Sequence, residues 1–133
     1  VLNPAPARQL SQTLLQLCDI IVPNEHEVEL LGGAARLLAM GPRAVVVTRG
    51  GEGADVHMAE GVAHVPPFPV TPLDTTAAGD SFCGALCARL AAGATLADAL
   101  RFAAAAGALC TTRAGAVPSI PVLGEIERLL SEG

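Results

Sequence analysis

Tryptophan and tyrosine are absent from this sequence of 133 residues, and phenylalanine occurs only three times. Hydrophobic residues still make up 51% of it, so a core has to come from Ala, Leu and Val. Such small side chains let helices lie close to a sheet, which favours a layered α/β domain over an aromatic-rich binding module. A chain of this length is enough for one domain, burying roughly two-thirds of the surface its unfolded form exposes. Basic residues are also scarce, with eight Lys and Arg against thirteen Asp and Glu and a formal net charge of −5. Backbone-phosphate binding needs clustered cations and stacking platforms, and neither is here. Nucleic acid is therefore not an expected partner.

Long apolar runs are missing as well. The longest nearly apolar stretch, residues 102–110, falls far short of the roughly 20 residues that span a bilayer. No charged segment followed by an apolar one opens the chain, so neither a secretory signal nor a membrane partner is expected. The four cysteines (Cys18, Cys83, Cys87, Cys110) form no CxxC pair. Cys83 and Cys87, four apart on a helical stretch, could be a metal pair or a disulfide. The plainer reading, small buried hydrophobes, is the one expected. Cysteines of this kind fit a reducing, cytoplasmic compartment.

What is present alternates. Residues 1–2 read as the end of a strand, and residues 8–17 have a helical apolar period. Residues 20–22 form a short continuous apolar run of the kind seen in buried strands. A short helical stretch opens at Asn24, and residues 34–40 are helical until Gly41-Pro42 stops them. Residues 44–48 are a second buried strand, and residues 54–58 and 62–65 a hairpin near the sheet edge. A proline-rich stretch, 66–72, precedes a helix over 80–92. Gly93 ends that helix, and Thr95 caps another reaching 109 or 110. Residues 112–121 read as a loop, and a last amphipathic helix carries Ile126, Leu129 and Leu130. This order predicts a mostly parallel sheet covered by helices.

Three segments carry chemistry. Residues 74–86 read DTTAAGDSFCGAL. Small Ala77, Ala78 and Gly79 let the backbone approach a ligand, and the following helix offers free N–H groups and its positive dipole end. Asp80 at that helix start would repel a bound phosphate, yet it is well placed to take a proton from a hydroxyl during phosphoryl transfer. The alternative is an ordinary N-cap. Asn24 and Glu27 follow a strand with capping-box spacing; the functional reading is a carboxylate that orients water on Mg²⁺. Residues 48–53, TRGGEG, are glycine-rich after a strand but match neither a Walker loop nor GxGxxG. His26, His57 and His64 show no site spacing and are expected on the surface or in the hairpin.

Taken together, these segments resemble the C-terminal half of the ribokinase branch of the phosphofructokinase-B type sugar-kinase family. LNPAPAR at 2–8, VPNEHE at 22–27, DTTAAGD at 74–80 and TRAGAVPS at 112–119 carry the likeness, which runs from residue 1 to about 130. The resemblance implies a ribokinase-like α/β fold and ATP-dependent phosphorylation of a small sugar, ribose first. Rival readings are a kinase for another sugar or a nucleoside, and a non-catalytic nucleotide-binding domain. Asp80 would be the base, and backbone N–H groups of Ala77, Ala78, Gly79 and Asp80 the anion hole. Asn24 would contact ATP phosphates, Glu27 would act through Mg²⁺, and Thr48 and Gly50 would lie along the nucleotide. A monovalent cation, K⁺ in this family, would be held by the Asp74 carboxylate, carbonyls of Thr76, Cys110, Arg113 and Gly115, and Ser119 as a further candidate ligand.

Two departures stand out. The family often carries a histidine near the adenine where this chain has Ala104, so adenine contacts are expected to be rearranged. The stretch between Gly33 and Ala34 is shorter than the family pattern. The family's sugar contacts, its glycine-pair motif and the lid through which it forms homodimers belong to the N-terminal half and have no counterpart here.

Overall fold

The computed structural model describes residues 1–133. Elements follow the order α1 (Gln12–Gln16), β1 (Ile20–Ile21), α2 (Glu25–Leu30), α3 (Ala34–Ala39), β2 (Ala44–Thr48), β3 (Ala54–Met58), β4 (Gly61–Val65), α4 (Ala78–Ala91), α5 (Leu96–Thr111) and α6 (Leu123–Glu132). Short 3-10 turns cover Gly50–Glu52 and Val117–Ser119. Two compact units emerge, Val1–Val65 and Pro66–Gly133.

The first unit holds the sheet, in the order β1-β2-β3-β4. β1 and β2 are parallel, with Ile20 opposite Ala44 and Ile21 opposite Val45. Leu2 adds a parallel bridge to Ile21 on the outer side. The hairpin expected from residues 54–65 forms, and its two antiparallel pairings make the sheet mixed. β2 reads Ala-Val-Val-Val because it is buried on both faces: Val45 and Val46 are fully inaccessible. Leu15, Ile21, Val28, Leu31, Leu37, Val45 and Val47 pack as one cluster, bringing α1, α2 and α3 onto the strands. Burying each such aliphatic chain contributes roughly 1.5–3 kcal/mol before entropy is charged. α1 is shorter than its apolar period predicts because Ser11 caps it, its hydroxyl accepting from the Leu14 N–H at 3.2 Å. Before it, residues 8–11 stay outside the helix.

The second unit is helical. α4 and α5 lie against each other with Phe82, Leu86, Ala99, Phe102 and Ala103 buried. Ile126 of α6 joins Phe102, Ala105 and Ala106 in a second cluster. Thr95 caps α5 as expected, its hydroxyl accepting from the Asp98 N–H at 3.1 Å. Gly107 explains how close the two long helices come. A Cβ there would meet the Ala78 carbonyl oxygen at 3.3 Å and the Phe82 Cβ at 3.6 Å. A glycine inside an alanine-rich helix costs about 1 kcal/mol against alanine, so its presence signals this contact.

The cysteines correct one expectation. No disulfide forms, but only Cys110 is buried; Cys83 is half-buried and Cys87 exposed. They lie on the less apolar side of α4, where Phe82 and Leu86 take the inward positions. No three His, Cys, Asp or Glu residues cluster in a way that could hold a metal. No helix is long and apolar enough to cross a membrane.

Candidate functional site

In the first unit, the candidate residues gather at the C-terminal ends of the parallel strands, where open α/β sheets characteristically bind ligands. Asn24 and Thr48 form a parallel bridge, and the Thr48 N–H donates to the Pro23 carbonyl at 3.0 Å. α2 starts here through a complete capping box. Asn24 Oδ1 accepts from the Glu27 N–H, and Glu27 Oε2 accepts from the Asn24 N–H, each at 2.8 Å. This box engages one oxygen of each side chain, leaving Asn24 Nδ2 and Glu27 Oε1 for a ligand. Gly50 follows Thr48 with φ of +54°, which an L side chain rarely adopts. His57 and His64 sit in the hairpin and His26 is exposed on α2, as their lack of spacing predicts. His64 is not idle: its Nδ1 donates to Asp55 Oδ1 at 2.8 Å, holding the Asp55 carboxyl below its ordinary range.

In the second unit, α4 begins differently from the sequence expectation. Its N-cap is Ala77, left-handed at φ +61°, which makes Asp80 the third helical residue instead of the cap. The only non-glycine residue at positive φ is this alanine. Strain of that kind costs on the order of 1–3 kcal/mol and clusters at active sites and ligand clamps. The Ala78 N–H donates to the Thr75 carbonyl at 3.2 Å, and the Ser81 N–H to the Ala77 carbonyl at 2.8 Å. N–H groups of Ala77, Gly79 and Asp80 find no acceptor in the chain. Asp80 is exposed and its carboxylate makes no hydrogen bond or ion pair. Gly79, placed by its motif at a turn, is instead helical, and a Cβ added to it would meet no atom within 4 Å. Nothing in the protein requires glycine at this position.

Beside this helix start, residues far apart in sequence converge. Asp74 Oδ1 accepts from the Thr76 N–H and Oδ2 from the Gly115 N–H, both at 2.9 Å. The Thr76 side chain first, and then the Gly115 and Thr76 N–H groups, hold the Asp74 carboxyl at about 2, below its ordinary 3.8. The Cys110 thiol donates to the Thr76 carbonyl at 3.6 Å and lies 3.1 Å from Ser119 Oγ. Ser119, fully buried, donates to the Ala116 carbonyl at 2.6 Å. Arg113 is tied to Glu125 of α6 through Nη1 and Nη2 of its guanidinium. Asp74, Thr76, Cys110, Arg113, Gly115 and Ser119 are thus linked into one loop cluster. The thiol's part in it was not legible from sequence. Carbonyls of Thr76, Arg113 and Gly115 accept no backbone N–H. One ionised carboxylate, the open Arg113 and Gly115 carbonyls and a Thr76 carbonyl shared with the Cys110 thiol make a donor set that fits a hard cation of single charge, while the Cys110 carbonyl already accepts the Arg113 N–H at 3.5 Å; MgATP-type divalent sites need more carboxylate or phosphate.

The low Asp74 value has a consequence for acid stability. A carboxylate depressed in the folded state stabilises it fully above its unfolded value, and the contribution fades as pH falls from about 4 toward 2. Thermal melts taken stepwise down that window should lose more for the native chain than for Asp74→Asn, which has nothing to protonate. Parallel loss in both would show that Asp74 does not brace this loop.

The model of the pfkB family carbohydrate kinases matches residues 1–123. The chain belongs to that family. It is 41% identical to the ribokinase of Staphylococcus aureus over 142 aligned residues, covering 97% of this chain and 47% of that protein. Among solved structures, the ribokinase of Thermotoga maritima superposes with a TM-score of 0.92 at 36% identity, over 97% of this chain and 48% of that one. Arabidopsis thaliana ribokinase, solved with ribose and ATP, gives a TM-score of 0.86 at 31% identity, over 92% and 44%. The chain therefore spans about half the length of the relatives it matches, and the pfkB fold accounts for its mixed sheet with flanking helices. Gly32 and Gly33, both at positive φ, join α2 directly to α3. Ala104 is half-buried in α5.

Proposed function

We propose that this chain is the C-terminal, nucleotide-binding and catalytic part of an ATP-dependent sugar kinase whose preferred substrate is ribose, giving ribose 5-phosphate. The observation that carries the reading is the start of α4: unpartnered N–H groups, an open approach at Gly79, and an unengaged carboxylate three positions from the strained Ala77. A pfkB family match and a ribokinase relative at 41% identity supply the reaction class. Arabidopsis ribokinase, solved with ribose and ATP, supports ribose as the first substrate to try.

In this reading the sugar hydroxyl oxygen attacks the γ-phosphorus as the bond to ADP breaks. Asp80 receives the hydroxyl proton, so no alkoxide has to form in water. N–H groups of Ala77, Gly79 and Asp80 face the charge spreading over the γ-phosphoryl oxygens, already oriented before the reaction begins. The Ala78 N–H, bonded to Thr75, fixes the turn instead of donating to the phosphate. Asn24 Nδ2 would donate to ATP phosphates, and Thr48 and Gly50 would line the nucleotide. Glu27 Oε1 would hold water on Mg²⁺, whose role is to neutralise phosphate charge. Asp74 and the Thr76, Cys110, Arg113 and Gly115 carbonyls would hold K⁺, which adds fixed positive charge beside the anion site; the hydroxyl of Ser119 would brace that loop.

The full-length protein tests this by coupled ADP release. Ribose-dependent release is expected, faster in K⁺ than in Na⁺ at equal ionic strength. Equal rates in the two salts would remove the cation site. ATP binding without release on ribose, deoxyribose, fructose or nucleosides would make the protein a nucleotide binder.

A further inference from the structure

Arg49 lies between Thr48 and Gly50, and no role follows for it from the motif. Its guanidinium meets carboxylates from three segments. Nη2 lies 2.9 Å from Glu52 in the 3-10 turn, Nη1 donates to Asp55 Oδ2 of β3 at 3.0 Å, and Nε lies 4.0 Å from Glu25 in the first turn of α2. His64 of β4 holds the other oxygen of Asp55. One side chain thus pins the turn that Gly50 opens through Glu52 and Asp55, and draws the helix that Asn24 and Glu27 open toward it by a longer ion pair to Glu25. We infer that Arg49 is a positioning residue for the nucleotide, clamping these two segments in the spacing that the ATP phosphates require. This rests on the kinase reading given above.

The charge balance sharpens the inference. Three carboxylates beside a polyphosphate site would repel it, and only one guanidinium in the group offsets them. A purely electrostatic role and a clamping role therefore make opposite forecasts for Asp55. Neutralising it lowers the negative charge near the phosphates, which by electrostatics alone tightens ATP. As a clamp anchor, its loss frees the guanidinium and loosens the turn, which weakens ATP.

The experiment is ATP titration by calorimetry on the full-length protein, with steady-state kinetics on the same preparations. Arg49→Gln is expected to raise the Kd for ATP about fivefold or more, with kcat at saturating ATP within about twofold of native. Asp55→Asn is expected to weaken ATP as well, and Arg49→Lys to recover only part of the loss, since an ammonium cannot bridge in a fork. Unchanged affinity in Arg49→Gln overturns the clamp. So does tightened affinity in Asp55→Asn, full recovery in Arg49→Lys, or a fall in kcat without a change in Kd. A native protein that binds no ATP would sink the kinase reading itself, an outcome visible before any variant is made. If Arg49→Gln does not fold, Asp55→Asn carries the decision alone.

Discussion

Asp80→Asn in the full-length protein is expected to fold normally, bind ATP, and transfer phosphate at least about 10²-fold more slowly than the native enzyme. An amide cannot accept the hydroxyl proton, so the loss should fall on kcat. Little stability is at stake. Asp80 is not the cap of α4 and touches no partner, so only its interaction with the helix dipole disappears. A change in melting temperature of no more than a few degrees follows. Thermal melts, an ATP titration and a steady-state rate on one preparation check all three parts. A folded variant with native turnover would reduce Asp80 to a surface aspartate and take away the base.

Gly79 should separate function from stability even more cleanly. Its backbone is helical and its Cα faces open space, so Gly79→Ala strains nothing within the chain. Alanine in a helix outperforms glycine by up to about 1 kcal/mol, so the melting temperature should hold or rise. Gly79→Val should keep it within a few degrees. If the γ-phosphoryl group packs against this backbone, an added methyl displaces it from the N–H donors. Turnover should then fall on the order of 10²-fold for Val, and measurably for Ala, while stability is kept. The assay is coupled ADP release beside a thermal melt. Near-native turnover in Gly79→Val would place the anion site elsewhere.

Much of the local structure was written in short-range patterns. The Asn24 and Glu27 capping box, the Thr95 cap, the hairpin of β3 and β4 and the buried valines of β2 each rest on residues within one element or its neighbour. Spacing suffices there because the partner lies three or four residues away, or directly across a tight turn. The DTTAAGD segment likewise declared a helix start with an acidic residue in it. What it could not declare was which residue would turn left-handed. Glycine is the ordinary choice, yet the structure bends at Ala77 and leaves Gly79 helical. That frees Gly79 and Asp80 of local duty.

The rest needed packing. Asp74 reaches the Gly115 N–H 41 residues away, and the Cys110 thiol reaches Thr76 across 34. No periodicity encodes such pairs; they exist because Gly107 and Ser81 let α4 settle against α5, which delivers both loops to the same end of the helix pair. Arg49 is similar in part: Glu52 is three residues away, but Asp55 and Glu25 come to it only after β2 and β3 pair and α2 is capped at the strand end. The sequence alone determined the elements and the chemical types at their ends, because those obey interactions of short range. Tertiary structure decided which of those ends meet, because hydrogen-bond partners distant along the chain are chosen by the packing of whole helices.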